Sequence, residues 1–154
     1  MLTRVLVIGL VAGMTIATQA AAFSFTPKGV SFVAKGRTTL NKGGTVVPCK
    51  ARLAGLTTAT GVGHITSALF GGSAACGAIT ATGLPWKVTA TSGNTAVIAN
   101  VSFNVAGAGN CGPSSVPATV TTTGKFKFNS VPLGPNCVFD GAVNTAPPVT
   151  ITSP

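Results

Sequence analysis

Val97-Ile98-Ala99-Asn100-Val101-Ser102-Phe103-Asn104-Val105 is the longest alternating stretch in this chain of 154 residues. In an extended strand Val97, Ala99, Val101, Phe103 and Val105 share one side, and Asn100, Ser102 and Asn104 take the other. A period of two with one apolar set predicts a strand with one buried face and one wet face. The pattern recurs in both directions along the chain. Cys49, Ala51 and Leu53 oppose Lys50 and Arg52. Trp86, Val88 and Ala90 oppose Lys87 and Thr89, and Phe126 and Phe128 oppose Lys125 and Lys127. Phe23 and Phe25 begin the series, followed by Val30, Phe32 and Ala34. Turn chemistry separates these runs at Asn41–Gly44, Gly71–Ser73, Ser92–Asn94, Gly107–Asn110 and Gly134–Asn136. Beyond residue 22 no amphipathic helix of about ten or more residues is written. The expected fold is all-β, an antiparallel sandwich or bent meander of about 8–10 strands.

The first 22 residues read differently. Arg4 supplies a positive n-region, Val5 to Ile16 is apolar apart from Gly and Thr, and Ala20-Ala21-Ala22 offers small residues for cleavage. That is the layout of a secretory signal, and the apolar run is too short for a membrane-spanning helix. Residues 1–22 are thus expected to be a cleaved signal peptide and residues 23–154 a single domain, placed outside the cell or on its outer surface. No second long apolar run follows, so the mature chain is expected to carry no transmembrane helix.

Cysteine usage fits an exported chain. Cys49, Cys76, Cys111 and Cys137 form an even set, which reads as two disulfides with three pairings possible. The nearly equal sequential spacings favour Cys49–Cys76 and Cys111–Cys137. Each bond would stabilise the fold by about 3.5 kcal/mol in the loop-closure picture. Ile65–Gly77, Val101–Gly112 and Phe128–Cys137 each read as strand, glycine turn, cysteine, a weak internal repeat in which hairpin loops are stapled by disulfides. Zinc is not expected, because no C-x-x-C pair occurs and His64 has no cysteine at ligand spacing.

Charge is set by a lack of acids. Ten Lys and Arg face a single carboxylate side chain, Asp140, and the formal net charge is +9. The cations stand singly along the chain without a basic run or an interleaved aromatic stripe, so no specific nucleic-acid recognition is expected. Catalysis is also disfavoured. General acid–base chemistry needs a poised pair of groups, and the chain has one His, one Asp and no Tyr. There is no G-x-S-x-G elbow for a nucleophilic serine. Gly107-Ala-Gly-Asn-Cys-Gly112 spells a dinucleotide-like string, but Pro113 to Pro117 follows where a helix should begin. A glycine-rich hairpin turn is the better reading. Asp140-Gly141 reads as a turn, since one carboxylate is poor for calcium. No catalytic, cofactor or metal residues are therefore assigned, and no cofactor is expected.

The order of features carries a resemblance. A Phe-rich strand follows the signal segment, then Cys49 in a charged alternating strand and Ile65-Thr-Ser-Ala-Leu-Phe-Gly-Gly72 before Cys76. Gly83-Leu-Pro-Trp86, Asn110-Cys-Gly-Pro113 and Gly134-Pro-Asn-Cys137 follow. This order resembles the PraB-type protein activator of alkane oxidation family of secreted bacterial proteins, across essentially the whole mature chain. The resemblance implies a non-catalytic extracellular protein linked to growth on hydrocarbons, through surface activity or attachment to the cell surface. It implies no active-site residues. Near-absence of acids is where this chain departs from it.

Two kinds of partner follow as expectations. An amphiphilic accessory would meet apolar or cell-surface material. A structural subunit of a fibre or biofilm matrix would meet copies of itself through strand edges. For the second, the natural added strand is Phe23 to Ala34, interrupted at Pro27 and expected to be the least anchored of the fold. Trp86 is expected to be a buried core residue and not a ligand-stacking one. Sequencing of exported material should give Phe23 as the mature N-terminus; material that still begins at Met1 would overturn the secreted reading.

Overall fold

The structure, a computed structural model, describes residues 22–154. The expected signal segment, apart from Ala22, lies outside them. The strands are β1 (Ser24–Thr26), β2 (Ser31–Lys42), β3 (Thr45–Thr57), β4 (Gly63–Gly71), β5 (Ile79–Thr82) and β6 (Trp86–Ala90). They continue as β7 (Thr95–Val105), β8 (Gly109–Val120), β9 (Lys125–Leu133), β10 (Cys137–Ala146) and β11 (Thr150–Thr152). A single helical turn, α1 (Ala74–Gly77), precedes β5.

Turn chemistry sets the hairpins. Lys42 pairs with Thr45, which leaves Gly43-Gly44 as a two-residue loop, with φ of 59° and 91°. Positive φ at both positions matches the twist of the flanking strands and suits glycine. Asn41 closes the turn by accepting a hydrogen bond from the Gly44 N–H at 3.0 Å.

Successive hairpins produce a ring. β2, β3, β4, β6, β7, β8, β9 and β10 are neighbours in that order, and β10 returns antiparallel to β2. The all-β class is as expected, but the sheet is a closed barrel of eight strands, neither a sandwich nor a bent meander. Local alternation is identical in the three architectures. They differ in whether the first long strand meets the last, which only the long-range register decides. Val33 through Lys42 pair residue for residue with Ala146 through Cys137.

Inward positions fill the ring. Phe103 lies at the centre, with Phe70 and Trp86 edge-on at 5.3 and 5.5 Å between ring centroids and Phe139 at 5.9 Å. Trp86 is buried as expected, and its indole N–H donates to the Thr82 carbonyl at 2.9 Å. Among the described residues, voids of about 20 Å³ each lie among Phe25, Phe32 and Phe126 and around Phe103. Each is about the room of one water and is lined by apolar side chains, with Thr57 and Thr145 the only polar ones. Among the described residues, every buried side-chain nitrogen and oxygen has a hydrogen-bond partner.

The two ends of the barrel are closed by different means. At one end β1 pairs with β11, and Phe25, 1% exposed, plugs the ring beside Phe126. Thr57 holds the entry to β2: its hydroxyl donates to the Pro27 carbonyl at 2.7 Å and accepts from the Val30 N–H. The stretch from Phe23 to Ala34, expected to be one poorly anchored edge strand, is therefore two elements. Its first part is the plug, and its second begins β2, between β3 and β10.

At the opposite end the ring has two short seams. β8 meets β9 through only two residue pairs, and β4 meets β6 through three. A cysteine pair lies at each seam at disulfide distance. Cys111 of β8 meets Cys137 at the start of β10, with Cα atoms 5.7 Å apart. Cys49 of β3 meets Cys76 in α1 at 5.6 Å. The Gly112 N–H also donates to the Gly134 carbonyl across the first seam. Lys42 spans it as well, donating to the Asn110 and Pro135 carbonyls at 2.8 Å each. Of the three glycine–cysteine segments, the one ending at Cys76 leads into α1 and is not a hairpin loop.

One strand departs from its expected phase. Val97 and Ala99 do not join Val101 and Phe103 on the buried face; Ala96 and Ile98 do. Asn100 adopts φ 55°, and the ladder with β8 shifts between Ile98 and Val101. A bulge of this kind adds one residue and inverts the alternation on either side of it.

The seams make a stability prediction. Replacing Cys111 and Cys137 together by Ser should lower the unfolding free energy by about 3.5 kcal/mol. Amide exchange should accelerate first in the Gly109–Pro117 part of β8, not in β2. Uniform acceleration over the whole ring would contradict the seam.

Candidate functional site

Alternation sends every second side chain outward, and the register decides which of them become neighbours. Four outward cations come from two adjacent strands: Lys35 lies directly opposite Arg52, and Arg37 directly opposite Lys50. On the other side of β2, Lys35 pairs with Asn144 and Arg37 with Ala142 of β10. Those two residues in turn face Lys125 and Lys127 of β9. Six of the chain's ten basic residues therefore occupy two parallel rows across β9, β10, β2 and β3. At ~4.8 Å per strand, the rows are about 14 Å wide. Along a strand, cations two residues apart stand roughly 7 Å from one another. Lys125 is half-buried and the other five are exposed.

This face has no internal counter-charge of its own size. Asp140, the one carboxylate side chain, lies on β10 opposite Thr39. It accepts hydrogen bonds from the Gly141 N–H at 2.7 Å and from the Ser130 hydroxyl at 3.3 Å. Like charges directly across a ladder oppose strand pairing. Arg37 and Lys50 also line a surface groove of about 370 Å³ with Thr39, Pro48, Gly71 and Gly72. The Cys49 end of a disulfide-distance pair forms part of its wall.

The residues considered for catalysis are not brought together. His64 on β4 is level with Leu56 of β3, and Leu56 with Ser31 of β2. Asp140 is level with Thr39 of the same β2. The two are thus separated by eight positions along the strand, about 26 Å at ~3.3 Å per residue. No acid–base pair can form across that distance. Gly107–Gly112 is the β7–β8 hairpin and the start of β8, without a helix. Among the described residues there is no group of three or more His, Cys, Asp or Glu able to hold a metal.

The pattern of the alkane oxidation protein activator PraA/PraB-like family matches residues 1–153, essentially the whole chain. The chain belongs to that family. No curated protein and no solved structure matches it. For this PraA/PraB-like chain the family description names an activator and not an enzyme.

The cationic face was not read from the sequence, where its members stand singly. Each of the pairs Lys35/Arg37, Lys50/Arg52 and Lys125/Lys127 sits at i, i+2, and that spacing on a strand places both on one side. The i, i+2 doublets were the available signal; their alignment across strands is a property of register.

Charge at these positions works against the ladder. Arg52→Glu, which sets an acid opposite Lys35, should raise stability by a few tenths of a kcal/mol at low salt. Urea melts at low and high salt would measure it, and the gain should vanish at high salt.

Proposed function

We propose that this PraA/PraB-like protein is an exported, non-catalytic accessory that promotes growth on alkanes by acting at surfaces. The observation that carries this reading is the filled barrel. Eight-stranded barrels can enclose one small ligand. Here Phe103, Trp86, Phe128 and Phe139 occupy the interior, and the two voids of about 20 Å³ are far too small for an alkane chain. Contact with an apolar substrate, or with the cell that consumes it, then falls to the outside of the barrel.

The polarity of the wall supports the same reading. A membrane-spanning barrel faces lipid with an apolar band and keeps polar groups inside. This barrel has the reverse arrangement, with Phe and Val inward and Lys35, Arg37, Lys50 and Arg52 at mid-strand outside. A soluble or peripheral protein fits that distribution.

The second reading, a fibre built by strand donation, has less support. The candidate donor, Phe23 to Ala34, is paired within its own chain: Ser24–Thr26 pair with Thr150–Thr152 and place Phe25 in the barrel mouth, and the part from Ser31 lies in β2 between β3 and β10. Pro113 and Pro117 on β8 and Pro132 on β9 lie along the splayed seam, where residues without an N–H blunt an edge.

The non-catalytic role has a direct test. In a host deleted for the protein, a chain carrying both His64→Ala and Asp140→Asn should restore growth on a long-chain alkane to the level of the unchanged chain. Failure of that variant, with normal export and folding by circular dichroism, would point to chemistry at one of these residues.

A further inference from the structure

We infer that the outer face of β9, β10, β2, β3 and β4 is a docking surface for packed anionic lipid headgroups. The inference rests on the surface-acting role proposed above and names the chemistry of the surface concerned.

Two observations converge on this face. The first is charge: six cations in two rows, with the single carboxylate Asp140 one row further along β10, leave an excess that calls for an anionic partner wide enough to meet several at once. The second is apolar. The large hydrophobic side chains exposed among the described residues are Val46, Leu56, Leu69 and Val138, at 57, 39, 62 and 36% exposure. All four are on β3, β4 and β10, the same strands or their immediate neighbours. Leu69 is directly across from Arg52, continuing the row of Lys125, Lys35 and Arg52. Val46 and Val138 flank Asn41 from either side, one strand step each, at the disulfide end of the face. Leu56 is at the opposite end of β3. The result is a cationic centre bordered by apolar side chains.

That combination selects among polyanions. A lipid surface attracts basic residues through its headgroups and takes up apolar side chains between them, so both contributions add. An anionic polymer offers no comparable place for Leu69 or Val46. Single-stranded nucleic acid is held through aromatic stacking. None of the large hydrophobics exposed on this face is aromatic; Trp86 and most Phe residues are inside the barrel.

Sedimentation of the mature protein with vesicles tests the assignment. Vesicles of equal parts phosphatidylglycerol and phosphatidylcholine should bind it, and those of phosphatidylcholine alone should not. Each cation near an anionic surface contributes about fivefold in partitioning, so Arg37→Gln with Arg52→Gln should weaken binding roughly 25-fold. Lys28→Gln, in the turn before β2, should bind as the unchanged protein does. Val46→Ser with Leu69→Ser should weaken binding at low and at high salt alike. Thermal melts of each variant separate lost binding from lost fold. Equal binding to both vesicle types, or indifference to the two Arg substitutions, overturns the inference. So does displacement by DNA or a polyuronate together with indifference to the Val46 and Leu69 substitutions, which would assign a polymer instead. Absence of vesicle binding in a protein still required for alkane growth overturns the lipid face and leaves the accessory role standing. Loss of growth in the His64→Ala, Asp140→Asn chain, with vesicle binding retained, overturns the accessory role and leaves the lipid face standing.

Discussion

The ladder between β2 and β10 joins residues 33–42 to residues 137–146, and the closed ring exists only because these two strands meet. Their separation in sequence makes this the contact with the highest loop-closure cost among the barrel pairs. Close approach of the two backbones demands small residues at the crossing. A Cβ on Gly36 would stand 1.9 Å from the Ala142 carbonyl oxygen, and one on Gly141 would stand 2.4 Å from that of Arg37. Gly141 has φ 131° and follows an irregularity in the β9–β10 ladder at Phe139. Glycines and bulges at such positions let strands coil tightly enough to close a barrel.

Closure then divides the remaining work. Interior packing holds the middle of the ring, through Phe103 and the aromatic side chains around it. Phe25 seals one mouth without covalent help, and burying a side chain of its size contributes about 1.5–3 kcal/mol. At the other mouth β4 and β8 run out of hydrogen-bonded partners on one side, and there both cysteine pairs are found. Cross-links placed where ladders are short tie down the segments most able to open locally. The same arrangement explains the weak glycine–cysteine repeat: all three cysteines concerned approach the disulfide end of the barrel.

Much of this was legible locally and little of it globally. The alternation of Cys49–Leu53, Trp86–Ala90 and Lys125–Phe128 gave the buried faces, because a half-buried strand writes its environment into every second residue. The cysteine spacing pointed to the two pairs that are at disulfide distance. What alternation cannot carry is the identity of the strand next door. Sandwich and barrel were therefore indistinguishable, and the meeting of Lys35 with Arg52 was invisible although both residues were in view. Asn100 illustrates the other limit. A single bulged residue inverted the phase of the very stretch with the clearest pattern, and nothing in an Asn marks it as a bulge before the partner strand is known.

The same register that closes the barrel brings the cations together, and the composition keeps them unanswered. A protein with ordinary numbers of Asp and Glu could place acids on β10 between Lys127 and Arg37 and between Lys125 and Lys35; this one has Ala142 and Asn144 there. Exposed cations in water repel one another only weakly, so the fold tolerates the arrangement. Tolerance alone does not account for the apolar border formed by Val46, Leu69 and Val138, since leaving those side chains in water forgoes burial that the interior gives their counterparts. Both features oppose stability slightly, and both are relieved by one kind of event: contact with a surface that is negatively charged and apolar a few ångströms deeper. A barrel filled to its centre has no other place to meet such material, which makes its outer wall the part of the molecule that function can act through.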